Sequence, residues 1–273
     1  MIPKENSQIV VLGAGNVATH ISRHLHSAGH YISCIWSRNR EHAEQLAVQV
    51  GAVGTSDPEE VPAGADFYLM AVPDRAIPEV AVRFSGSDGI WMHTAGAVSM
   101  DVLEKDFRKC GVFYPLQTLS VKKQISLKDT PFLVEGGDPV TTGMIQTLAS
   151  SISETVVEVD SARRLALHLA AVFANNFSNH MVAIGEKLLK EHDTDLSILL
   201  PILRETFAKI EELGPGEAQT GPALRNDRET MEKHLALLKG HPEWEKLYTF
   251  VSRDIKRSRK ITTIDPERGD DQL

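Results

Sequence analysis

The chain has 273 residues, 42% hydrophobic and 24% charged, the composition of a globular protein with one large domain or two moderate ones. Its formal net charge of −8 argues against non-specific nucleic-acid binding, which depends on excess lysine and arginine. No charge-free apolar run of about 18 residues occurs, so no membrane span is expected, and the opening Met1-Ile2-Pro3-Lys4-Glu5-Asn6 has no signal-peptide core.

From residue 8 to about 160, short β-rich runs alternate with helical stretches, which predicts a parallel α/β sheet. Ile9-Val10-Val11-Leu12 is the first strand. Gly13-Ala14-Gly15-Asn16-Val17-Ala18 then opens a helix that runs to about Ala28. Strand, glycine turn and helix in this order form a dinucleotide-binding fingerprint with alanine in the third small position. Gly13 permits the tight turn, Gly15 lets the backbone approach a pyrophosphate, and Ala18 lets the helix pack closely on the strand. The helix start, with Asn16 and Val17, offers free N–H groups to the phosphates. Tyr31–Trp36 is the second strand. A helix over 41–50 and a short strand over 52–54 come next. The apolar run 67–72 stops at Pro73-Asp74, and a helix begins near Arg75. A strand over 89–93 ends in His93-Thr94-Ala95-Gly96. Strands over 112–115, 131–135 and 155–159 complete the series, with a helix over 144–151. Ligands of such sheets sit beyond the carboxyl ends of strands. The turns after Leu12, Trp36, Val72 and His93 should therefore surround one cleft. Val72 and Pro73 are expected to contact the cofactor there, and His93 and Thr94 the substrate.

An acidic residue at the end of the second strand would bind the ribose 2′-hydroxyl of NAD. The chain instead reads Ile35-Trp36-Ser37-Arg38-Asn39-Arg40. A hydroxyl and two guanidiniums suit a 2′-phosphate, which favours NADP. The alternative reading of Arg38 and Arg40, as solvated residues at a helix start, is weakened because cations there oppose the helix dipole. Cys34 and Cys110, the only cysteines, lack metal-ligand spacing. They read as reduced thiols of a cytoplasmic protein, and no metal is expected.

After Asp160 the pattern is all helix. This divides the chain into a dinucleotide-binding domain over 1–159 and a helical domain over 160–273. The first helix, 161–192, is apolar on nearly every face over 165–177, which places it in a core or a subunit interface. At about 100° per residue, His168, Asn175, Asn179 and Glu186 fall within roughly 40° of one another. Such a polar stripe needs partners, from a substrate or from a structural network. A second helix spans 196–213. Thr220-Gly221-Pro222 begins a third, with Thr220 as its cap. Arg225 could hold a carboxylate or phosphate, with Asp227 orienting it or acting as a base; an ordinary capped helix fits equally. Pro242 begins a fourth helix, and the polar tail 262–273 is expected to fray.

On these motifs the chain resembles a family of Rossmann-like NADP oxidoreductases with a helical C-terminal domain of unknown function. The wider group includes pyrroline-5-carboxylate reductase, the deazaflavin-dependent NADP reductase and the β-hydroxyacid dehydrogenases. The resemblance rests on the 13–18 turn, Val72-Pro73-Asp74, His93-Thr94-Ala95-Gly96, Tyr114-Pro115-Leu116-Gln117-Thr118, Asn175-Asn176-Phe177-Ser178-Asn179-His180 and Thr220-Gly221-Pro222. It implies an α/β N-terminal Rossmann domain that binds NADP(H). It also implies an all-α C-terminal domain of the 6-phosphogluconate dehydrogenase type and a homodimer built by interlocking C-terminal helices. Ketopantoate reductase and its relatives carry Lys-x-x-x-Asn on the equivalent helix, whereas Ala171 stands at the lysine position here. The nearest titratable side chain is His168. The expected function is hydride transfer between NADP(H) and a small, anionic C=O or C=N substrate. His168 would donate the proton, Asn175 and Asn179 would position the substrate, and Arg225 would hold its anionic group. The alternative, prompted by Ala171, is a sensor or assembly protein that binds NADP without catalysis.

Overall fold

Eight apolar runs pair into one sheet in this computed structural model, which describes residues 6–262. Met1 to Glu5 and the tail beyond Thr262 lie outside the described residues. The strands are β1 (Gln8–Leu12), β2 (Tyr31–Trp36), β3 (Val53–Thr55), β4 (Phe67–Met70), β5 (Ile90–His93), β6 (Cys110–Pro115), β7 (Phe132–Gly136) and β8 (Val156–Glu158). Their spatial order is β3-β2-β1-β4-β5-β6-β7-β8. The strands alternate their side chains between two faces, and each face has its own core. Ile9, Val11, Ile35, Leu69 and Phe113 pack on one side, under α1 (Asn16–Ser27) and α2 (Arg40–Val50). Val10, Leu12, Trp36, Met70 and Trp91 pack on the other, under α3 (Ile77–Arg83) and α4 (Asp101–Glu104).

The sheet corrects the expectation of uniformly parallel strands. β6 and β7 pair antiparallel, with Phe113 opposite Val134. A parallel step needs a crossover, usually a helix, and the segment 116–131 between these strands contains none. It therefore returns the chain in the opposite direction. α5 (Pro139–Ser150) starts earlier than expected. Asp138 accepts from the Val140 and Thr141 N–H groups (2.9 and 3.0 Å), and Pro139 occupies the first turn.

The chain divides into compact units of residues 1–176 and 177–273. The first unit therefore includes α6 (Ser161–Ala171), capped by Asp160, although the all-helical sequence begins there. A π-helical segment, Val172–Phe177, reaches the division. Its i→i+5 turns slip the phase of a 3.6-residue repeat, so the alignment expected for His168, Asn175 and Asn179 does not carry through it. Leu165, Leu169 and Phe173 are exposed, Phe173 by 63%. Burial on all faces within one chain is thus not what these residues adopt.

The second unit holds α7 (Ser178–Lys190), α8 (Leu200–Ala218), α9 (Pro222–Arg225), α10 (Arg228–Leu237) and α11 (Pro242–Thr262). Gly214, at φ 77°, breaks the helical path of α8 where the sequence placed its end. The expected cap at Thr220 is replaced by Gly221, and α9 stops after one turn at Asn226, which is left-handed (φ 56°). Asp227 then caps α10, accepting from the Thr230 N–H (3.1 Å) and hydroxyl (2.8 Å). Among the described residues no helix is long and apolar enough to cross a membrane.

Candidate active site

The turn after β1 is fixed by steric necessity. Gly13 has φ 126°, and a side chain there would collide with the Ala71 carbonyl beside β4. Its N–H donates to the Trp36 carbonyl (2.7 Å), which ties the turn to the end of β2. At Gly15 an added Cβ meets nothing within 4 Å, so the backbone there is open to a ligand. Around this turn lies a cleft of about 420 Å³, and Gly13, Gly15, Ser37, Arg38, Val72 and Pro73 all line it. Sequence reasoning missed His42, Ser56 and Arg83 on the same wall. Arg38 has no ion pair among the described residues, whereas Arg40 turns to Glu44 (2.8 Å) on α2. Of these two guanidiniums, Arg38 lines the cleft and Arg40 does not. Asn16 directs its side chain elsewhere, accepting from the Val121 N–H (3.1 Å). Val17 packs against the core. Val17 can offer a phosphate only its backbone N–H, and Asn16 its backbone N–H beside the side-chain amide.

Further along the same edge, beyond β5 and β6, a second group of side chains meets. The Tyr114 hydroxyl and His168 Nδ1 are 2.9 Å apart. Gly96 makes this possible: a Cβ there would lie 2.7 Å from His168 Nδ1 and 2.8 Å from the Tyr114 ring. Burial pushes the Tyr114 phenol up, the nearby Asp74 carboxylate adds to this, and the Arg164 charge opposes it. The phenol therefore stays protonated at neutral pH. We assign its O–H as donor to Nδ1 of the neutral imidazole, which leaves the ring proton on Nε2.

Beneath the pair lies an ionic cluster the sequence did not reveal. Arg164 is completely buried and pairs with Glu135 of β7. His93 corrects its expected role as a substrate contact, since its side chain has no exposed surface. Its Nδ1 accepts from the Ala95 N–H (3.2 Å). Burial, with Arg164 nearby, lowers its pKa to about 4. Thr94 turns inward as well, donating to the Met70 carbonyl (3.4 Å). Asn175 and Asn176 are exposed within the π-helical segment. Asn179 and Arg225 are exposed on the second unit. Asp227 is engaged as a cap, and its bond to the Thr230 hydroxyl holds its carboxyl below the usual range, which suits it poorly to act as a base. Cys34 and Cys110 are buried free thiols, each pushed up to about 11 chiefly by burial.

Comparison with known proteins decides the family. Residues 8–89 match the family described as NADP oxidoreductase, coenzyme F420-dependent, and residues 130–255 match a domain of unknown function, DUF2520. The solved structure of a Bacteroides fragilis protein, provisionally assigned as an NADP oxidoreductase, is 38% identical. It covers 93% of this chain and 99% of its own, with a TM-score of 0.89. The chain belongs to this NADP oxidoreductase family. A reductive aminase of Aspergillus terreus, solved with NADPH, shares the fold at 13% identity, covering 93% of this chain and 94% of its own with a TM-score of 0.72. Among curated proteins, glycerol-3-phosphate dehydrogenase [NAD(P)+] of Bacillus velezensis is 30% identical over 112 residues. That match covers 35% of this chain and about a third (32%) of the dehydrogenase. NADP is the cofactor of the family, and the cleft fits it: the backbone is bare at Gly15, and Arg38 stands without an acidic partner on the wall.

Proposed function

We propose that this NADP oxidoreductase reduces a small, anionic C=O or C=N substrate, with His168 as the proton donor. The observation that supports it is the Tyr114–His168 pair set against Gly96, at the same strand edge as the cofactor cleft. Bound NADPH supplies the hydride. The Tyr114 hydroxyl, hydrogen-bonded to Nδ1, orients the ring, so that in its protonated, imidazolium form it presents Nε2–H to the atom that gains negative charge as the double bond is reduced and is left as a neutral imidazole. Once that proton has left, Nε2 can take another from water. Asn175, Asn179 and Arg225 are proposed as substrate contacts. Arg225 suits an anion because its guanidinium is exposed, with Asp227 the acidic side chain that feels its charge.

We also propose a cytoplasmic homodimer formed through the helical region from residue 160 onward. In its support, α8 buries none of its residues, and Phe207 is 57% exposed. A second copy would cover such a face.

The test is NADPH oxidation across a panel of small 2-oxo acids and cyclic imines. For any substrate found, His168→Ala should lower kcat by about 10²–10⁴-fold while NADPH affinity is retained. Unchanged turnover in the folded variant overturns the assignment. Ala171, at the position of the related enzymes' lysine, favours a second reading as a non-catalytic NADP binder. NADPH affinity without oxidation by any member of the panel would support that reading.

A further inference from the structure

Arg164 lies one helical turn before His168 on α6 and joins three separate pieces of chain. One terminal nitrogen pairs with Glu135 on β7. The other donates to the Val98 carbonyl (2.5 Å) and to the Ser161 hydroxyl (3.1 Å). Ser161 closes the cluster. Its N–H and hydroxyl donate to the Glu135 carboxylate (3.0 and 2.8 Å), and its oxygen accepts from the Met100 N–H (3.0 Å). Val98 and Met100 belong to the segment after β5 that contains Gly96, against which the His168 ring rests.

A buried ion pair is weak evidence of a stabilising device, because apolar side chains of equal volume can hold a helix to a sheet without the desolvation cost. A guanidinium fork adds direction. Its bonds are fixed in angle, so it sets both the rotation of α6 and its position along the axis relative to residues 94–100. An imidazole four residues further on depends on both. The charged groups that reach the Tyr114 hydroxyl are Asp74 and Arg164.

We propose that Arg164, with Glu135 and Ser161, is the positioning group for the proton donor: it sets α6 so that His168 Nδ1 meets the Tyr114 hydroxyl and the imidazole holds a single tautomer. The catalytic meaning of this rests on the reading of His168 given above, but the positioning does not.

Histidine-labelled full-length protein, followed by NMR across pH, tests it directly. Wild type should show neutral His168 as the Nε2–H tautomer alone. Arg164→Lys keeps the charge and loses the fork. Arg164→Met combined with Glu135→Gln removes both charges together. Both variants should melt cooperatively and keep NADPH affinity within about twofold, since none of the three cluster residues lines the cleft. Both should also lose the single tautomer. A merely structural role would lower the melting temperature and leave the tautomer alone; that result in the folded variants overturns the proposal. If neither Arg164 variant folds, Ser161→Ala removes the bridging hydroxyl and is read by the same criterion. Full turnover by His168→Ala would remove the catalytic reading and leave the tautomer result standing, so the two failures are distinguishable.

Discussion

In the unit of residues 1–176 the strands β1, β2, β4, β5 and β6 are almost wholly buried, with separate cores on the two faces of the sheet. Over residues 177–258, by contrast, only Ala223, Leu238 and Ser252 are buried, while Phe207 and Phe250 are 57% and 70% exposed. The sheet covers its own apolar faces, as a stable domain must, and within that unit Leu165, Leu169 and Phe173 on the helical segment after it stay exposed. The helical unit carries the same kinds of side chain without covering them, the contrast on which the proposed second copy rests. The difference also separates the chemistry. The cofactor cleft, the Tyr114–His168 pair and the Arg164 cluster all lie in the first unit, and most of the helical region proposed to meet a second copy lies in the second.

The largest expected effect breaks the helical side of this contrast. Ile202→Asp with Phe207→Asp should dissociate the proposed dimer and cost about 5 kcal/mol, given about 1.5–3 kcal/mol for each large apolar side chain buried. Sedimentation at micromolar concentration and thermal melting would record it. A variant that still sediments and melts like wild type would show that α8 faces solvent in the assembled protein.

On the sheet side, Gly13→Ala should cost about 4 kcal/mol, by overpacking against the Ala71 carbonyl together with positive-φ strain. Gly15→Ala meets no protein atom within 4 Å, so it should melt like wild type and lose only NADPH affinity. Calorimetry beside a cofactor titration separates the two glycines. Equal melting temperatures for both variants would mean that the turn is not constrained as described.

Acid should act on the sheet unit through His93. Its pKa falls to about 4 in the folded protein, against about 6.5 in an unfolded chain. The unfolded state therefore binds the extra proton between these values. This contribution, about 3 kcal/mol, is complete above pH 6.5 and is lost as pH drops toward 4. Urea melts of wild type and His93→Asn across that window should converge at the acid end. Parallel curves would show that His93 is not held neutral.

The smallest effect sharpens the cofactor side. Arg38→Glu should lower NADPH affinity about 10–100-fold with little change for NADH. Arg40→Ala, whose side chain already pairs with Glu44, should leave both unchanged. Fluorescence titration with the two nucleotides checks the pair.

What the sequence disclosed follows the same division. Strands buried on both faces announce themselves as apolar runs between turn residues, so β2 is read residue for residue and β1 to within one. The antiparallel turn from β6 to β7 was hidden, because direction is set by what crosses between strands and not by the strands' own composition. Asp138-Pro139 was a legible start signal that precedes the apolar stretch chosen for α5. The π-helical segment was invisible to a reading that assumes 3.6 residues per turn throughout. At the site, Gly13 and Ser37-Arg38 stood in a local pattern, and all three line one cleft. Glu135 and Arg164 are 29 residues apart in the chain and buried against each other. In sequence each looks like a surface charge. The one trace was a glutamate within an apolar strand.

The central claim is that the cofactor cleft and the Tyr114–His168 pair form one reaction site. A crystal structure with NADP⁺ and a small carboxylic acid tests it most directly. The expected result has the nicotinamide ring beside Gly96 and its C4 within near-attack reach, about 3–3.5 Å, of an acid hydrogen-bonded to His168 Nε2. A nicotinamide directed away from Gly96, with the acid bound out of reach of His168, would contradict it.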